Sequence, residues 1–333
     1  MAEAPPPISV VSVVWNHGAF LDACAASVLG QEGPAFSWVV LDNGSEDDTA
    51  ERLRAWAARD RRVVPVFSPA NLRQTGGLVR ALEEVRSPFV ALLDGDDVAA
   101  PGRLARSLAW LEEDPRRIGL YGGCEFIDTA GEPIPSWFIA QDAGALRRMA
   151  EFDMPAVHST SAWRTDWLRQ HAPLALGTGH DYVLLLYALE SGEVGRLPEV
   201  LARYRVHAGG YTQRKRLAQY STGAAIGLWH AQRRAGREEP LAGWLEWAER
   251  CSGQARSVGD IHFLAARQGL EKGLSRLALY HARRALRRGS WAAAGIIGRV
   301  LANPSADWAK LWPVLRGGYL AGAHVDRYGR SRA

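Results

Sequence analysis

The sequence lacks long apolar runs, a leader-like start and a paired set of cysteines. In 333 residues there is no stretch of about 18 uncharged apolar residues, so no segment is expected to span a membrane. The N-terminus has neither a basic segment nor an apolar core, which argues against a secretory signal. Cys24, Cys124 and Cys251 lie far apart and are odd in number, which fits a reducing compartment and no metal cluster. We therefore expect a cytoplasmic protein.

Two motifs of nucleotide-binding proteins are also missing. No Gly-x-Gly-x-x-Gly follows the first predicted strand, and no Gly-x-x-x-x-Gly-Lys-Ser/Thr occurs anywhere. A dinucleotide-dependent dehydrogenase and a P-loop enzyme are therefore disfavoured. Acidic and amide side chains instead follow the second and fourth predicted strands.

Acidic residues are scarce in the last third of the chain. Residues 201–333 hold 23 Lys and Arg against 8 Asp and Glu, or +15, whereas residues 1–200 hold 17 against 28, or −11. These two values sum to the formal net charge of +4. The asymmetry suggests a basic surface for a polyanion or for an anionic membrane.

The apolar pattern predicts an α/β fold followed by a helical region. Strands and helices alternate in the first part, which is typical of an open, mostly parallel sheet with flanking helices. The strands are predicted at 8–15, 38–41, 63–67, 89–93, 119–127 and 197–205, with a short strand-like segment at 158–163 and a helix from 180 to about 191. Helices are predicted at 227–234, 241–250, 259–270 and 274–288. We therefore divide the chain into residues 1–212 and a basic, helical region, residues 213–333.

Three acids close the fourth predicted strand within four residues. Asp94, Asp96 and Asp97 follow the apolar run at 89–93 directly. So much like charge at a strand end is costly to bury unless a divalent cation or the donors of a polar ligand neutralise it. Open α/β sheets also bind ligands at the carboxyl ends of their strands. The alternative is a solvated acidic turn.

Seven short segments follow one another in the first part of the chain. They are Val10-Val-Ser-Val-Val-Trp-Asn16, Ser27-Val-Leu-Gly-Gln31, Val40-Leu-Asp-Asn-Gly-Ser45, Leu92-Leu-Asp-Gly-Asp-Asp97, Pro101-Gly-Arg-Leu104, His180-Asp181 and Tyr204-Arg-Val-His207. In this order they resemble the inverting family 2 glycosyltransferases, whose catalytic domain has the GT-A fold. The resemblance covers about residues 8–212, and nothing comparable covers residues 213–333.

The resemblance implies a metal-assisted site for the sugar donor. Asp94-Gly95-Asp96 matches the family's Asp-x-Asp motif, in which one acid contacts the ribose side and the other holds Mg²⁺ or Mn²⁺ between the donor's phosphates. Asp94 and Asp96 are therefore candidate metal ligands, and His207 is a third candidate or a diphosphate contact. A lone loop histidine is the alternative for His207, and a role for Asp97 in the metal shell stays open.

The resemblance also implies a general base. Asp181 matches the acid that takes the proton from the acceptor hydroxyl, and the single inverting displacement needs no carboxylate nucleophile. The family more often has Glu-Asp where this chain has His180-Asp181, which leaves the role of His180 open. The alternative is that Asp181 is an acid favoured by a helix N-terminus.

The donor's base is expected to meet the ends of the first two strands. Asp42 and Asn43 match the family's Asp-Asp pair, and an amide can donate to and accept from a pyrimidine edge. A uridine or thymidine diphosphate sugar is therefore favoured. Trp15 and the adjacent Asn16 are therefore candidate donor-binding residues. Trp15 matches a position where an aromatic side chain stacks on the base, although a core tryptophan is an equal alternative.

Further residues are candidates for the rest of the substrate. Arg73 and Arg80 could contact the diphosphate, although exposed helix arginines are common. Arg214 and Arg216, after two glycines, are predicted to form a flap over it. Trp137, His158 and His180 are predicted to border the acceptor, although lone histidines and tryptophans are more often simply packed.

The expected function is metal-dependent, inverting sugar transfer from a nucleotide sugar to a saccharide or lipid-linked acceptor in polysaccharide or cell-surface glycan synthesis. The alternative is a catalytically inactive nucleotide-sugar-binding module of the same fold. A nucleic-acid-binding protein is disfavoured because the chain has no recognisable motif and its first part is acidic. A nucleotidyltransferase usually has a glycine-rich, lysine-bearing first loop, which Asn16-His-Gly18 does not supply. The basic C-terminal helices either lie on an anionic membrane or form a helical cap.

Overall fold

The structure, a computed structural model, describes residues 4–135, 142–172, 176, 178–237, 239–303, 307, 310, 311 and 314. The chain divides into two compact units. The first contains the described residues of Met1–Ala143 and Ala156–His207, and the second those of Gly144–Pro155 and of the chain from Ala208 onward. The predicted division into residues 1–212 and residues 213–333 stays a prediction.

The first unit contains a nine-stranded sheet. Eight strands form the order β3-β2-β1-β4-β8-β6-β9-β5, and β7 pairs with β6. The strands are β1 (Ile8–Val14), β2 (Phe36–Asp42), β3 (Val63–Phe67), β4 (Phe89–Leu92), β5 (Val98–Ala99), β6 (Arg117–Ile127), β7 (Pro133–Ile134), β8 (Ala162–Arg164) and β9 (Glu193–Arg205).

Most of these strands run in one direction. β1, β2, β3 and β4 are parallel to one another, and β8 is antiparallel to both β4 and β6. Since β9 is parallel to β6, the strands β4, β6 and β9 share that direction. The carboxyl ends of β1, β2, β4 and β9 therefore lie at the same edge. This confirms the predicted α/β fold with a mostly parallel sheet.

Helices cover the sheet because its strands are apolar on both sides. All seven residues of β1 are buried, which is typical of a central strand in a parallel sheet. Ile8, Val10 and Val14 of β1 pack in one core with α1 and α4, and α3 packs on β1 and β2. The helices of this unit are α1 (Gly18–Leu29), α2 (Thr49–Arg59), α3 (Arg73–Leu82), α4 (Arg103–Glu113), α6 (Thr165–His171) and α7 (His180–Ser191).

Residues 158–163 differ from the strand-like segment that we predicted. His158–Thr160 form a single 3₁₀ turn, and the strand β8 begins only at Ala162. The turn is held locally, because the Ser161 N–H and the Ser161 hydroxyl both donate to the carbonyl of His158. It directs Ser159 towards the carboxyl end of β4, where the Asp94 N–H donates to the Ser159 hydroxyl.

The described part of the second unit is helical, as the sequence predicted for the C-terminal region. Its helices are α5 (Ala143–Ala150, from Gly144), α8 (Tyr211–Arg214), α9 (Arg216–Arg234), α10 (Leu241–Gln254), α11 (Val258–Glu271), α12 (Ser275–Leu286) and α13 (Ala293–Leu301). Ser257 and Asp260 form a capping box that starts α11. The apolar stripe of α12 packs between α11 and α13 around Ala282 and Ala285, so it forms part of this unit's own core. None of the described helices has the length and apolar character needed to cross a bilayer.

Candidate active site

The candidate site lies where the carboxyl ends of the parallel strands meet. Asp94 comes two residues after β4, Asp42 ends β2, Asn16 comes two residues after β1, and His207 comes two residues after β9. Parallel strands end at one edge of a sheet, so the side chains that follow them can converge although they are far apart in sequence.

The turn at Asp94–Asp97 is held closely against the sheet. The Asp94 N–H donates to the Ser159 hydroxyl at 3.0 Å, and the Gln74 amide donates to Asp94 Oδ1 at 3.1 Å. A Cβ at Gly95 would lie 2.3 Å from Val14 Cγ1 and 2.9 Å from His17 Nδ1. Only glycine therefore fits between the two acids of the Asp-x-Asp pattern.

Asp96 is accompanied by two histidines. His207 Nε2 lies 3.0 Å from Asp96 Oδ2, and His17 Nε2 lies 4.0 Å from the same oxygen. Burial by itself would raise the pKa of Asp96, but His17 and His207 outweigh it, so the pKa lies below its ordinary value. Asp96 is therefore ionised near neutral pH and can act as an anionic oxygen ligand.

Asp94 and Asp97 have the opposite electrostatic tendency. Burial raises the pKa of Asp94, and Asp96 adds to this while His158 opposes it. Burial, with Asp96 and Asp94, raises the pKa of Asp97 well above its ordinary value. The Asp97 side chain is fully buried, and its oxygens accept from the Ser159 hydroxyl at 2.5 Å and from the Arg205 N–H at 2.8 Å. This environment leaves the half-buried Asp94 and Asp96 as the carboxylates better placed to reach a ligand.

The predicted donor residue Asn43 holds a neighbouring loop in place. Its amide nitrogen donates to Asn71 Oδ1 and to the Arg73 carbonyl, both at 3.2 Å, and its oxygen accepts from the Leu72 N–H at 2.8 Å. The adjacent Asp42 is 4% exposed and accepts from the Ser45 N–H at 3.0 Å. Both side chains therefore shape the loops around the expected position of the base.

Two of the predicted donor residues have unusual backbone conformations. Among the described residues, Asn16 (φ 55°) and Arg73 (φ 61°) are the non-glycine residues with positive φ. This region is costly for residues other than glycine, and such residues cluster at functional sites. Asn16 is held there by Ser45 and Glu46, because its N–H donates to Ser45 Oγ and its side-chain oxygen accepts from the Glu46 N–H. Two independent loops at the sheet edge thus contain strained residues.

Trp15 and Arg80 are two predicted donor residues that come from chain segments other than Asp94–Asp97, the acidic turn. Trp15 is half-buried at the end of β1. The Arg80 guanidinium forms ion pairs with Glu83 at 3.1 Å and Glu84 at 2.9 Å, two turns along α3 from Arg73. The structure does not bring Arg80 together with the acids, and its diphosphate role stays a prediction.

The structure brings together the two histidines that were predicted to border the acceptor. The His158 and His180 rings are 4.9 Å apart, and His180 precedes Asp181 in the first turn of α7. Burial, and then His158, lowers the pKa of His180 to about 4, so this ring is neutral. Its Nε2 atom is buried and has no hydrogen-bond partner among the described residues. His158 also acts electrostatically on Asp94, so it links the acidic turn with His180, the residue before the half-buried Asp181.

Other predicted residues cannot be placed in this way. Trp137 lies in 136–141, outside the described residues. Arg214 and Arg216 belong to the second unit, and their flap role stays a prediction. The structure also reveals site residues that the sequence analysis missed, namely His17, Phe20, Gln74, Ser159 and Arg205. Only Arg205 had a usable signal, since it lies in the segment Tyr204-Arg-Val-His207.

The candidate metal-ligating side chains are of the kinds that suit a hard divalent cation. Asp96, Asp94 and His207 offer two carboxylates and an imidazole at one sheet edge. Within the described ranges, no three His, Cys, Asp or Glu side chains converge closely enough to hold a metal ion by themselves. Mg²⁺ is commonly held by one or two carboxylates together with substrate phosphates, which is the pattern that these residues would allow.

Comparison with known proteins shows which family part of the chain resembles. Residues 9–135 match the model of glycosyl transferase family 2. Over 128 residues the chain is 27% identical to a protein named as an uncharacterized glycosyltransferase, MJ1057, of Methanocaldococcus jannaschii, covering 38% of this chain and 44% of that protein. The chain spans about half the length of the curated relatives that it matches.

Solved structures share the fold at low sequence identity. The crystal structure of TarS 1–349 of S. aureus in complex with UDP-GlcNAc has a TM-score of 0.58 and 16% identity, covering 93% of this chain and 91% of that chain. The mannosyltransferase PcManGT of Pyrobaculum calidifontis, in complex with GDP-Man and Mn²⁺, has a TM-score of 0.54 and 16% identity, covering 95% and 86%. Residues 9–135 therefore match the family 2 glycosyltransferases, and the chain shares the GT-A fold of these solved structures.

Proposed function

We propose that this protein transfers a sugar, with inversion, from a nucleoside diphosphate sugar to a hydroxyl of a saccharide or lipid-linked acceptor. The observation that carries the proposal is the contact between Asp96 Oδ2 and His207 Nε2, beside Asp94, at the carboxyl edge of the sheet. The two partners come from the ends of β4 and β9, 111 residues apart, so this pairing is a product of the fold. Polysaccharide or cell-surface glycan synthesis would be the setting.

Asp96, together with Asp94 and His207, would hold Mg²⁺ or Mn²⁺. When bound, the ion would stabilise the negative charge that develops on the leaving diphosphate. The protein's own contribution is to keep Asp96 ionised through His17 and His207 and to hold the turn in place through Ser159 and Gly95. The neighbour PcManGT was solved with Mn²⁺, which supports this assignment.

Asp181 is proposed as the general base. The acceptor oxygen forms a bond to the anomeric carbon while the bond to the diphosphate oxygen breaks, and Asp181 takes the acceptor's proton. One displacement inverts the anomeric configuration. The neutral His180 and the adjacent His158 would border the acceptor hydroxyl, because a neutral imidazole can donate to or accept from a sugar hydroxyl.

A uridine or thymidine diphosphate sugar is the proposed donor. Asp42 and Asn43 would lie beside the base and Trp15 would cover one face of it, with Asn16 and Arg73 in the neighbouring loops. The neighbour TarS was solved with UDP and with UDP-GlcNAc, which supports a uridine nucleotide. PcManGT was solved with GDP-Man, so a guanosine nucleotide belongs in the test as a competitor.

A thermal-shift screen tests the donor and the metal together. UDP, dTDP and GDP are added with and without Mn²⁺ to the wild type, to Asp96→Ala, and to a control, Asp166→Ala, at an almost fully exposed acid. Binding to the folded state raises the midpoint, and we expect a shift that requires Mn²⁺ and is lost only in Asp96→Ala. No shift with any nucleotide would refute the proposal. Nucleotide binding without transfer to any acceptor would indicate the inactive module instead.

The basic second unit is proposed to touch an anionic membrane surface. The apolar side of α12 packs within the unit, so we propose the turn after this helix as the contact. Trp291 in this turn is 79% exposed and follows the exposed Arg287. From 272 to 306 the sequence contains seven cations and no acid. An exposed tryptophan beside arginines is typical of a membrane-interface contact.

A further inference from the structure

Arg205, at the end of β9, joins three separate parts of the candidate site. Its side chain is 5% exposed, and its guanidinium donates to three backbone carbonyls. Nε donates to the Asp96 carbonyl at 2.9 Å, while Nη1 donates to the carbonyls of Asp128 at 2.8 Å and Thr129 at 3.1 Å. One side chain therefore ties the acidic turn to the turn that follows β6.

The backbone of Arg205 binds the acidic turn as well. Its N–H donates to Asp97 Oδ1 at 2.8 Å, so the main chain and the side chain of one residue hold Asp96 and Asp97 from two directions. The next residue, Val206, donates its N–H to the Ile127 carbonyl at 2.8 Å. Hydrogen bonds from their backbone N–H groups therefore hold Arg205 and Val206, the two residues that precede His207.

Phe20 of α1 connects the Arg205 guanidinium with His207. The Arg205 Cζ atom lies 5.0 Å from the centre of the Phe20 ring, and the His207 ring packs against the same phenyl group at 4.6 Å with an interplanar angle of 60°. His207 is therefore held by Phe20 on one side and approaches Asp96 Oδ2 on the other. Arg205 contacts both the ring that supports the histidine and the backbone of the acid that it approaches.

We propose that Arg205 is a positioning residue that holds His207 against Asp96 and so sets the affinity of the site for a divalent cation with a nucleoside diphosphate. The inference rests on the proposed function. The planar guanidinium directs several N–H groups in fixed directions, which lets it join carbonyls from two turns while its face packs on an aromatic ring. Lysine would provide one point of attachment and would lose this geometry.

The chain contains a matched control at the opposite edge of the sheet. Arg164 ends β8, which runs antiparallel to β4, and its guanidinium also donates to three backbone carbonyls. These are the carbonyls of Arg117 at 2.8 Å, Leu111 at 2.8 Å and Asp114 at 3.1 Å. Its Cζ atom lies 5.1 Å from the centre of the Phe89 ring. The Arg164 guanidinium thus makes the same kinds of contact as that of Arg205, with three carbonyls and one phenyl ring, but these contacts do not involve the acidic turn.

The experiment compares Arg205→Met with Arg164→Met. The unliganded unfolding midpoint measures general damage, and a Mn²⁺ titration of the midpoint at saturating UDP measures metal affinity. Both variants should lower the unliganded midpoint, but only Arg205→Met should weaken the apparent Mn²⁺ affinity, by about tenfold or more, as losing support behind metal ligands typically does. Arg205→Lys should recover little of this loss.

Each outcome decides a different point. Equal Mn²⁺ affinity in Arg205→Met and Arg164→Met would overturn the positioning role while leaving the proposed function intact. If the wild type shows no Mn²⁺-dependent nucleotide binding, both the proposed function and the inference fail. If Arg205→Met does not fold, the variant Phe20→Leu tests the inference instead. Phe20 is half-buried, and this substitution removes only the ring between Arg205 and His207. It should weaken Mn²⁺ binding in the same direction, and unchanged affinity would overturn the inference.

Discussion

A buried pair of histidines should make the stability of the second unit depend on pH. The Nδ1 atoms of His262 in α11 and His281 in α12 lie 3.0 Å apart, and both side chains are almost fully buried. Two neutral rings can share this contact, because the Nδ1–H of one ring can donate a hydrogen bond to the unprotonated Nδ1 of the other. Neither Nε2 atom has a hydrogen-bond partner among the described residues, so a further proton would add a poorly compensated charge.

The charged groups around the pair determine the sign of the effect. Burial, followed by Arg284, lowers the pKa of His281 to about 3, and Asp153 opposes this weakly. Burial, followed by Arg284, His281 and Arg288, lowers the pKa of His262 well below its ordinary value. The tyrosines that face the pair are Tyr220 on α9 and Tyr280 on α12. In the unfolded chain a histidine has a pKa of about 6.5. Between that value and the lowered pKa of the folded state, the unfolded chain binds more protons than the folded chain. The free energy of unfolding therefore falls as the pH falls below about 6.5.

The size of the effect follows from the lowered pKa of His281. Between pH 7 and pH 5 the free energy of unfolding should fall by about 2 kcal/mol from this residue alone, which is about 30-fold in the opening equilibrium. Hydrogen exchange of amides in α11 and α12, corrected for the intrinsic rate at each pH, measures this change locally. His281→Gln keeps a polar side chain that does not titrate in this range and leaves the contribution of His262 in place, so the change in protection between pH 7 and pH 5 should be about 30-fold smaller than in the wild type. An equal pH dependence in the wild type and the variant would refute the reasoning.

Three further predictions concern the site and the membrane. Gly95→Ala should cost about 1–3 kcal/mol of stability and abolish the Mn²⁺-dependent nucleotide shift, because its Cβ would overlap Val14. The control is Gly253→Ala, where the space is open, and a normal shift in Gly95→Ala would contradict the close packing. Asp181→Asn should lower kcat by about 10²–10⁴-fold with unchanged nucleotide affinity, and full activity would exclude it as the base. Trp291→Ser should weaken cosedimentation with phosphatidylglycerol vesicles relative to Phe67→Ser, which removes another exposed aromatic ring, and equal binding by the two variants would argue against this contact.

The strand ends could be located from the sequence. Asp42 and Asp94 follow apolar runs, His207 follows the strand predicted at 197–205, and the carboxyl ends of parallel strands must meet at one edge of a sheet. The same reasoning missed Ser159, because its segment reads as a strand but forms a 3₁₀ turn stabilised by local hydrogen bonds to His158. It also missed Gln74, since nothing in a helical pattern shows which polar side chain points towards an acid on another strand.

Asn43 illustrates a second limit. The amide is suited to the edge of a pyrimidine base, and the sequence therefore placed it beside the donor. In the structure its donors and acceptor bind Asn71, Leu72 and Arg73, which are close in space because the loop after β3 folds back over the end of β2. A side chain's chemistry is a property of its residue type, whereas its partners depend on which loops fold together.

The sequence by itself determined the α/β class of the first part, the helical character of the last part and the resemblance to the family 2 glycosyltransferases, because periodicity and ordered motifs are local properties. It also determined that acids must gather at one sheet edge. Only the tertiary structure decided that His207 approaches Asp96, that Asp97 is buried against Arg205, and that residues 144–155 group with the helices. These pairings join residues up to 111 positions apart, and their distances follow from strand order and loop packing, which no local pattern encodes.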